Sequence, residues 1–351
     1  MITNRCLRVA VAGLGRIAWQ YHIPAIMRHN RFQLAAVADP LRERLAEAAT
    51  EFGVAAGYDS VPLMLEREKP DLLLVASPTC FHSEQTLEAF RRGIDVICEK
   101  PLACTLDEAG TVGRAMREYH RKLMVYQPHR LTPEAAGLKA ILASGVLGRV
   151  FLVRRGCNSF SRRNDWQAFA AYGGGMLNNY GSHFLDQFIY LFGGDFREVN
   201  AVTRRVVSCG DAEDFVKMLA VNGNNVVFDL EINMGAAFAS QEWRVCGDCG
   251  SAVYDTRSGW SLRYFDPAQL QERPIQAGLA AEGRSYPSEP DICWIDKNIP
   301  DAPADTRRFY DCCYGYFALG EAPLVPIDHT MEVMRTIDRC RRTAALTPVP
   351  A

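Results

Sequence analysis

Apolar residues follow two rhythms along this chain. Up to about residue 154, short apolar runs alternate with stretches of helical spacing. Residues 7–12, 32–38, 71–76, 93–98, 123–126 and 150–154 read as strands. Helices are expected where Ile17, Trp19, Ile23 and Ile26 recur, from near Leu41, and over 82–92, 106–120 and 133–144. The run Leu72-Leu-Leu-Val75 has no polar alternation, as suits a strand buried on both faces of a parallel sheet. Beyond that point the rhythm changes. One helix over 176–191 precedes strands at 199–207, 215–221, 225–232, 242–245, 252–254 and 261–265, with close turns such as Gly223-Asn-Asn225, which indicates a mostly antiparallel sheet. Residues 267–304 hold six of the chain's 18 prolines and read as a long irregular loop, and helices near 305–319 and 330–345 close the chain.

A length of 351 residues favours two cores over one, and 48% apolar with 23% charged residues is a globular balance. A formal charge of -2 provides no broad basic field, so neither nucleic acid nor an anionic membrane is an expected partner. The start of the chain carries Arg5 and Arg8, and its short apolar run breaks at Gly13, which marks a strand rather than a leader, and no run approaches the ~18 apolar residues of a membrane span. The expectation is a soluble, cytoplasmic protein. Twelve cysteines are scattered through apolar segments and read as reduced, mostly buried thiols. Cys246-Gly-Asp-Cys249 is the only CxxC and reads as a turn between strands, with no metal expected.

The first strand ends in Gly13-Leu-Gly15-Arg16-Ile17-Ala18 and a helix follows. This is the order a dinucleotide site needs: Gly13 for a tight turn, Gly15 for close approach of the backbone to a pyrophosphate, and free amides where the helix opens at Arg16 and Ile17. The second strand ends at Asp39, where an acid takes the adenosine ribose hydroxyls or caps the next helix with Pro40 in its first turn. An acid there favours NAD, and nearby Arg42 and Arg44 keep NADP open. Ser77, Thr79 and His82 follow the strand at 71–76 and are candidate cofactor contacts, although His82 equally suits a turn cap. Residues 1–127 therefore read as a Rossmann-like parallel α/β domain, and 128–351 as an α+β domain on a mostly antiparallel open sheet for substrate binding and oligomerisation.

Two stretches carry candidate chemistry. Glu99-Lys100-Pro101 ends the strand at 93–98 on the same edge as the glycine turn. In Gly173-Gly-Gly-Met-Leu-Asn-Asn179-Tyr-Gly-Ser-His183, Asn179 and His183 are spaced to share a helix face, with Asp186 beside His183, and the glycines allow close backbone approach. Arg154, Arg155, Arg162 and Arg163 cluster before it, and with Arg130 they suit a carboxylate or phosphate, or plain solvation. Trp166, Phe169 and Tyr172 suit a sugar face or packing.

These stretches, in this order, resemble the glucose-fructose oxidoreductase, inositol dehydrogenase and MocA family. Further points of likeness are Ala76-Ser-Pro-Thr-Cys-Phe-His82, Arg130 with Pro133, Gly145-Val-Leu-Gly148, Gly247-Asp-Cys-Gly-Ser251 and Gly320-Glu-Ala-Pro323. The resemblance implies reversible hydride transfer between a nicotinamide and a carbinol or carbonyl carbon of a sugar, cyclitol or related polyol. Lys100 matches the family's lysine and His183 its histidine. Beside an oxidised nicotinamide, like charge and desolvation would push Lys100 toward its neutral, basic form. Asn179 stands where many members carry Asp; an amide cannot titrate, so the weight of proton transfer shifts to Lys100. Glu99 is left to orient the lysine or the nicotinamide ribose. Arg130, Arg163, Trp166, Tyr172, Asn179 and His183 are the candidate substrate contacts. Family members also imply a second outcome, redox-assisted glycosidase or lyase chemistry, and a non-catalytic nucleotide sensor of the same fold is a third reading. The family implies a homo-oligomer, dimer or tetramer, built on the open sheet face.

Overall fold

The computed structural model describes residues 5–270, 275, 292–301 and 308–344. Strands β1 (Leu7–Ala12), β2 (Phe32–Ala38), β3 (Gly57–Tyr58), β4 (Leu72–Val75), β5 (Asp95–Cys98) and β6 (Leu123–Val125) form a parallel sheet in the order β3-β2-β1-β4-β5-β6. Side chains alternate between its two faces. Val9, Val11, Leu72, Leu74 and Ile97 share one core with Ile23 and Ile26; Ala10, Leu73, Val75, Val96 and Cys98 share another with Met64 and Phe90. The first helix opens at Arg16 and Ile17, passes through a π-helical turn, Ala18–His22, and continues as α1 (Ile23–Arg28). Helices α2 (Arg42–Phe52), α3 (Val61–Glu68), α4 (His82–Arg91) and α5 (Leu106–Glu118) supply the crossovers. α5 starts on a full capping box between Thr105 and Glu108. Chain direction across the sheet reverses between β1 and β4, so their carboxyl ends flank the crevice where such sheets bind ligands.

A second sheet runs β14-β13-β12-β11-β7-β10-β9-β8. Its strands are β7 (Val150–Phe160), β8 (Phe196–Arg204), β9 (Phe215–Asn222), β10 (Val227–Asn233), β11 (Gly235–Gly247), β12 (Gly250–Asp255), β13 (Gly259–Tyr264) and β14 (Ile295–Ile299). Every pairing is antiparallel except β7 with β10. One face is covered by α6 (Pro133–Ser144), a π-helical turn Leu177–Gly181 that runs into α7 (Ser182–Phe192), and α9 (Ile327–Thr343); Phe188 stacks on Phe228 at 4.4 Å in this core. A ring buried this fully contributes about 1.5–3 kcal/mol.

Three expectations change. The strand at 150–154 does not end the alternating half: β7 lies in the middle of the second sheet, between β11 and β10. Val153 and Arg155 face the covered side while Leu152 and Arg154 face the other, and a strand of that kind suits a sheet with one open face. The stretch at 267–304 contains β14, paired to β13, and most of the rest of it lies outside the described residues. The closing helices are shared between the halves. From α8 (Arg308–Tyr314), Phe309, Tyr310, Cys313 and Tyr314 are buried in the core of the first sheet, and α9 gives Val333 and Ile337 to the second core and Met334 to the first. The first residues of the helix expected at 305–319 and the last of that expected at 330–345 lie outside the described residues.

All twelve cysteines are free thiols, but only Cys98, Cys157, Cys313 and Cys340 are fully buried, fewer than their apolar surroundings suggested. Cys246 lies near the end of β11 and Cys249 in the turn that leads to β12. Among the described residues no helix is long and apolar enough to cross a membrane.

Candidate active site

The site begins at the carboxyl ends of β1, β2, β4 and β5. Gly13 has φ +91°, and a Cβ there would fall 2.7 Å from the main chain of Ser77, so only glycine lets the loops after β1 and β4 close on each other. Gly15 differs: a Cβ there would meet nothing within 4 Å. The chain's own packing does not ask for glycine at that position, whereas a ligand lying on the loop would. The helix opens next at Arg16 and Ile17, and first-turn amides have no intrahelical acceptor. Asp39 is buried at the end of β2 and braces this loop: its Oδ2 accepts from Leu14 N at 2.9 Å and its Oδ1 from Leu41 N at 3.0 Å. It does not cap the next helix, because the N-cap of α2 is Leu41. Arg44 Nη1 lies 3.3 Å from Asp39 Oδ2.

At the end of β4, Ser77 Oγ donates to Gln85 Oε1 at 2.8 Å, and Thr79 is buried along the cleft floor. His82, a candidate cofactor contact, is buried with Nδ1 2.8 Å from Pro101 O and Nε2 2.9 Å from Ser77 O. Both ring nitrogens face main-chain carbonyls, of which a neutral ring donates to one, so the residue ties the β4 end to the β5 end.

Lys100 closes β5 and crosses to the second half. Its Nζ donates to Asn179 Oδ1 at 2.9 Å and to Asn179 O at 3.0 Å. Burial lowers its pKa to about 8; Glu99 opposes the shift and the charge of Arg163 adds to it. Glu99 is buried, and its Oε2 accepts the main-chain N–H of Lys100 at 3.1 Å. Burial alone would raise the Glu99 pKa, but a hydrogen bond from His22, with the charge of Lys100, carries it below the ordinary value.

The facing wall is the glycine stretch and the helix it opens. At Gly173, φ +74°, an added Cβ would lie 2.7 Å from Thr79 Cβ and from Cys104 Sγ. The close approach inferred from the sequence is therefore to the other half of this chain. Asn179 sits in the π-helical turn, a feature common at functional sites, with Nδ2 3.5 Å from Gln167 Oε1. Asp186 is not the partner of His183. Both of its oxygens accept from Arg130, each at 2.7 Å, and Arg130 also donates to Leu324 O. Arg130 is thus removed from the candidate substrate contacts, buried in an ion pair whose two side chains are each 1% exposed.

His183 instead donates from Nδ1 to Gln127 Oε1 at 2.7 Å, which leaves Nε2 as an acceptor that no described residue uses. Burial, then the charges of His129 and Lys100, push its pKa well below 6.5, so the ring is neutral. His129 lies flat on His183, centroids 4.0 Å apart and planes at 8°. Sequence reasoning missed Gln127 and His129; their position directly after β6, on the same edge as Lys100, is the signal that would have found them.

The arginine cluster disperses. Arg154 joins Asp229 and Glu242 on the open sheet face, Arg155 is buried between Phe184 and Trp243, and Arg162 donates to Val207 O. Arg163 alone stays near Lys100. It pairs with Asp165 Oδ2 at 2.9 Å, and Arg16 of the glycine loop reaches the same oxygen at 3.0 Å. Trp166 and Gln167 line the cleft with Thr79, Lys100, Gly173 and Asn179, whereas Tyr172 is exposed and edge-on to Phe169. The arrangement offers an amine with its pKa lowered to about 8, held by an amide in a small cleft, and an imidazole nitrogen that no described residue uses, beside a loop shaped for a dinucleotide. Such a set can move a proton and orient a hydroxyl.

Comparison with known proteins is consistent in both halves. The family model for "Oxidoreductase family, NAD-binding Rossmann fold" matches residues 7–127, and that for "GFO/IDH/MocA C-terminal domain" matches residues 136–253. D-glucoside 3-dehydrogenase of Escherichia coli is 32% identical over 55% of this chain, an alignment that spans 56% of that protein. Inositol 2-dehydrogenase of Streptomyces avermitilis is 32% identical over 73% of this chain and 77% of its own length. The crystal structure of an NAD-binding protein from Listeria innocua superposes with a TM-score of 0.82 at 22% identity, covering 97% of each chain, which is a likeness of fold.

Proposed function

The chain belongs to the GFO/IDH/MocA oxidoreductase family with its NAD-binding Rossmann domain, and from that premise we propose that it oxidises or reduces a sugar, cyclitol or related polyol with Lys100 as the proton-transfer group. The observation that carries the reading is the state of Lys100: an amine with its pKa lowered to about 8, held by Asn179 on the edge shared with the glycine loop. Relatives named for glucoside and inositol support the substrate class.

Gly13, Gly15, Arg16, Ile17, Asp39, Ser77, Thr79 and Glu99 are the proposed cofactor side of the cleft, and the open space over Gly15 with the buried Asp39 carboxylate fits a dinucleotide. NAD is the cofactor, with NADP use left to the Asp39 and Arg44 pair. Bound NAD supplies the hydride acceptor, or the donor in the reverse direction. The remaining work falls to this chain. Lys100 Nζ takes the hydroxyl proton as the substrate's C–H hydride leaves, so that an alcohol becomes a carbonyl and the amine becomes an ammonium; reduction runs the same transfer backwards. His183 Nε2 accepts from the reacting or a neighbouring hydroxyl, and its bond to Gln127 fixes the ring. Asn179 holds Lys100, while Arg163 and Trp166 border the substrate, with Tyr172 outside them. Residues 1–127 and 128–351 are the proposed nucleotide and substrate domains, and the open face of the second sheet is the proposed surface for a homo-oligomer.

The test is NADH formation by purified protein against a panel of sugars and polyols, repeated with Lys100→Ala. Loss of about 10²–10⁴-fold in turnover is expected, with NADH affinity kept. Turnover surviving in the variant would remove Lys100 from the role.

A further inference from the structure

Behind Lys100, Glu99 is joined to a buried pair of groups, His22 and Tyr310, that the reaction itself does not touch. Glu99 Oε1 lies 2.8 Å from His22 Nε2, and His22 Nδ1 lies 2.7 Å from Tyr310 OH. All three side chains are buried, His22 completely. They come from three distant segments: the π-helical turn of the first helix, the end of β5, and α8 near the end of the chain. The rings of Tyr126 and Tyr310 stand edge-on to His22, so the imidazole has little room to turn.

Donor and acceptor roles follow from the chemistry of the ends. An ionised Glu99 only accepts, so Nε2 carries the hydrogen. Nδ1 is then the acceptor, and Tyr310 donates its hydroxyl. Burial holds the Tyr310 pKa well above its ordinary value, so the phenol keeps the proton that this role needs. The other oxygen of Glu99 grips the main-chain N–H of Lys100. A buried carboxylate with one oxygen on an anchored imidazole and the other on the lysine's backbone has a fixed position and a stable charge.

We propose that His22 and Tyr310 are positioning residues of the reaction, which anchor the Glu99 carboxylate so that it holds Lys100 in place and faces it with a constant negative charge. The inference rests on the reading of Lys100 as the proton-transfer group. Glu99 feels His22, Lys100 and His82, and its charge is felt by Cys98, Tyr126 and Tyr310. Lys100 feels Glu99 and Arg163, and its charge is felt by His129 and His183. Of these groups Glu99 is the one that favours the ammonium. Without its anchor it protonates more readily, and Lys100 then loses its only opposing charge in this set.

The experiment is pH-dependent labelling of Lys100 by an amine reagent, read by peptide mass spectrometry on the full chain, which needs no substrate. The wild-type midpoint is expected near the lowered value of about 8. His22→Phe should move it down by about one pH unit, Tyr310→Phe should move it the same way by less, and His22→Gln, which still donates to Glu99, should restore most of it. Should His22→Phe fail to fold, the Tyr310→Phe midpoint decides. Midpoints that coincide with wild type in the folded variants would make His22 and Tyr310 packing residues only and overturn the proposal. A shifted midpoint together with turnover surviving in Lys100→Ala would keep the anchor and discard the base, so the two readings fail separately.

Discussion

Lys100 and Asn179 meet across the two halves of the molecule, the ammonium nitrogen 2.9 Å from the amide oxygen and 3.0 Å from the main-chain oxygen of the same residue. Both acceptors are neutral. They orient the amine but give it no opposing charge, so burial prevails and the pKa falls to about 8. In the proposed mechanism oxidation should therefore accelerate as pH rises through about 8 and the amine becomes free. Reduction, which needs the ammonium, should slow over the same range.

Asn179→Asp places a carboxylate on that nitrogen. An opposite charge this close favours the ammonium by about 1–3 pKa units. The rising limb of the oxidation profile should move to higher pH by that amount, and oxidation measured near neutrality should drop. A kcat profile against pH in wild type and variant checks this; limbs that coincide would separate Lys100 from the limb.

Arg130 and Asp186 are expected to matter for stability. Each is the other's charged partner, and both side chains are buried. Arg130→Met leaves Asp186 buried without its cation and should cost about 3–5 kcal/mol in denaturant unfolding. The double variant Arg130→Met, Asp186→Leu removes both charges and should recover most of that loss. An Arg130→Met protein as stable as wild type would show that the pair is hydrated and weak.

The first sheet was legible because its strands are buried on both faces, and an unbroken run such as Leu72 to Val75 has few other structures open to it. Gly13 and Lys100 could be set on one edge from the sequence because each follows a strand of one parallel sheet, whose carboxyl ends share an edge. What escaped was tertiary. Asp186 stands three residues from His183, yet it turns to Arg130, while His183 is held by Gln127 from the other half of the molecule. Arg154 and Arg155 look like one cluster in sequence and lie on opposite faces of a strand. Tyr310 carried no local signal, since its meaning comes from a closing helix that returns to the first sheet.

His129 gives the stability a particular pH dependence. Burial, then the charges of Lys100 and Arg155, lower its pKa to about 4 from the usual 6.5. Between those values the unfolded chain binds the proton and the folded one does not, so stability rises with pH across the window and is lost as pH falls through it. His129→Phe keeps a ring against His183 but cannot titrate. Its melting temperature should fall less than that of wild type between pH about 6.5 and about 4. The decline should not vanish, because His183 shifts in the same direction. Parallel curves would mean that His129 is protonated in the folded protein.

Asp39 should govern cofactor choice. Its carboxylate is buried at the end of β2, held by Leu14 N and Leu41 N, with Arg44 3.3 Å from Oδ2. A fixed negative charge here repels a 2′-phosphate, while Arg44, paired to that charge, is not free to attract one. Asp39→Asn keeps the size of the side chain and an acceptor for one of the two amides, yet it removes the repulsion and releases the guanidinium, which is well suited to a phosphate. The ratio of NADP to NAD affinity should rise by about tenfold or more, equivalent to ~1.4 kcal/mol. Adding Arg44→Ala should undo most of the gain, because attraction goes while the absence of repulsion stays. Binding titrations with both cofactors measure the ratio directly. A ratio that stays at the wild-type value in Asp39→Asn would place the source of discrimination outside this pair.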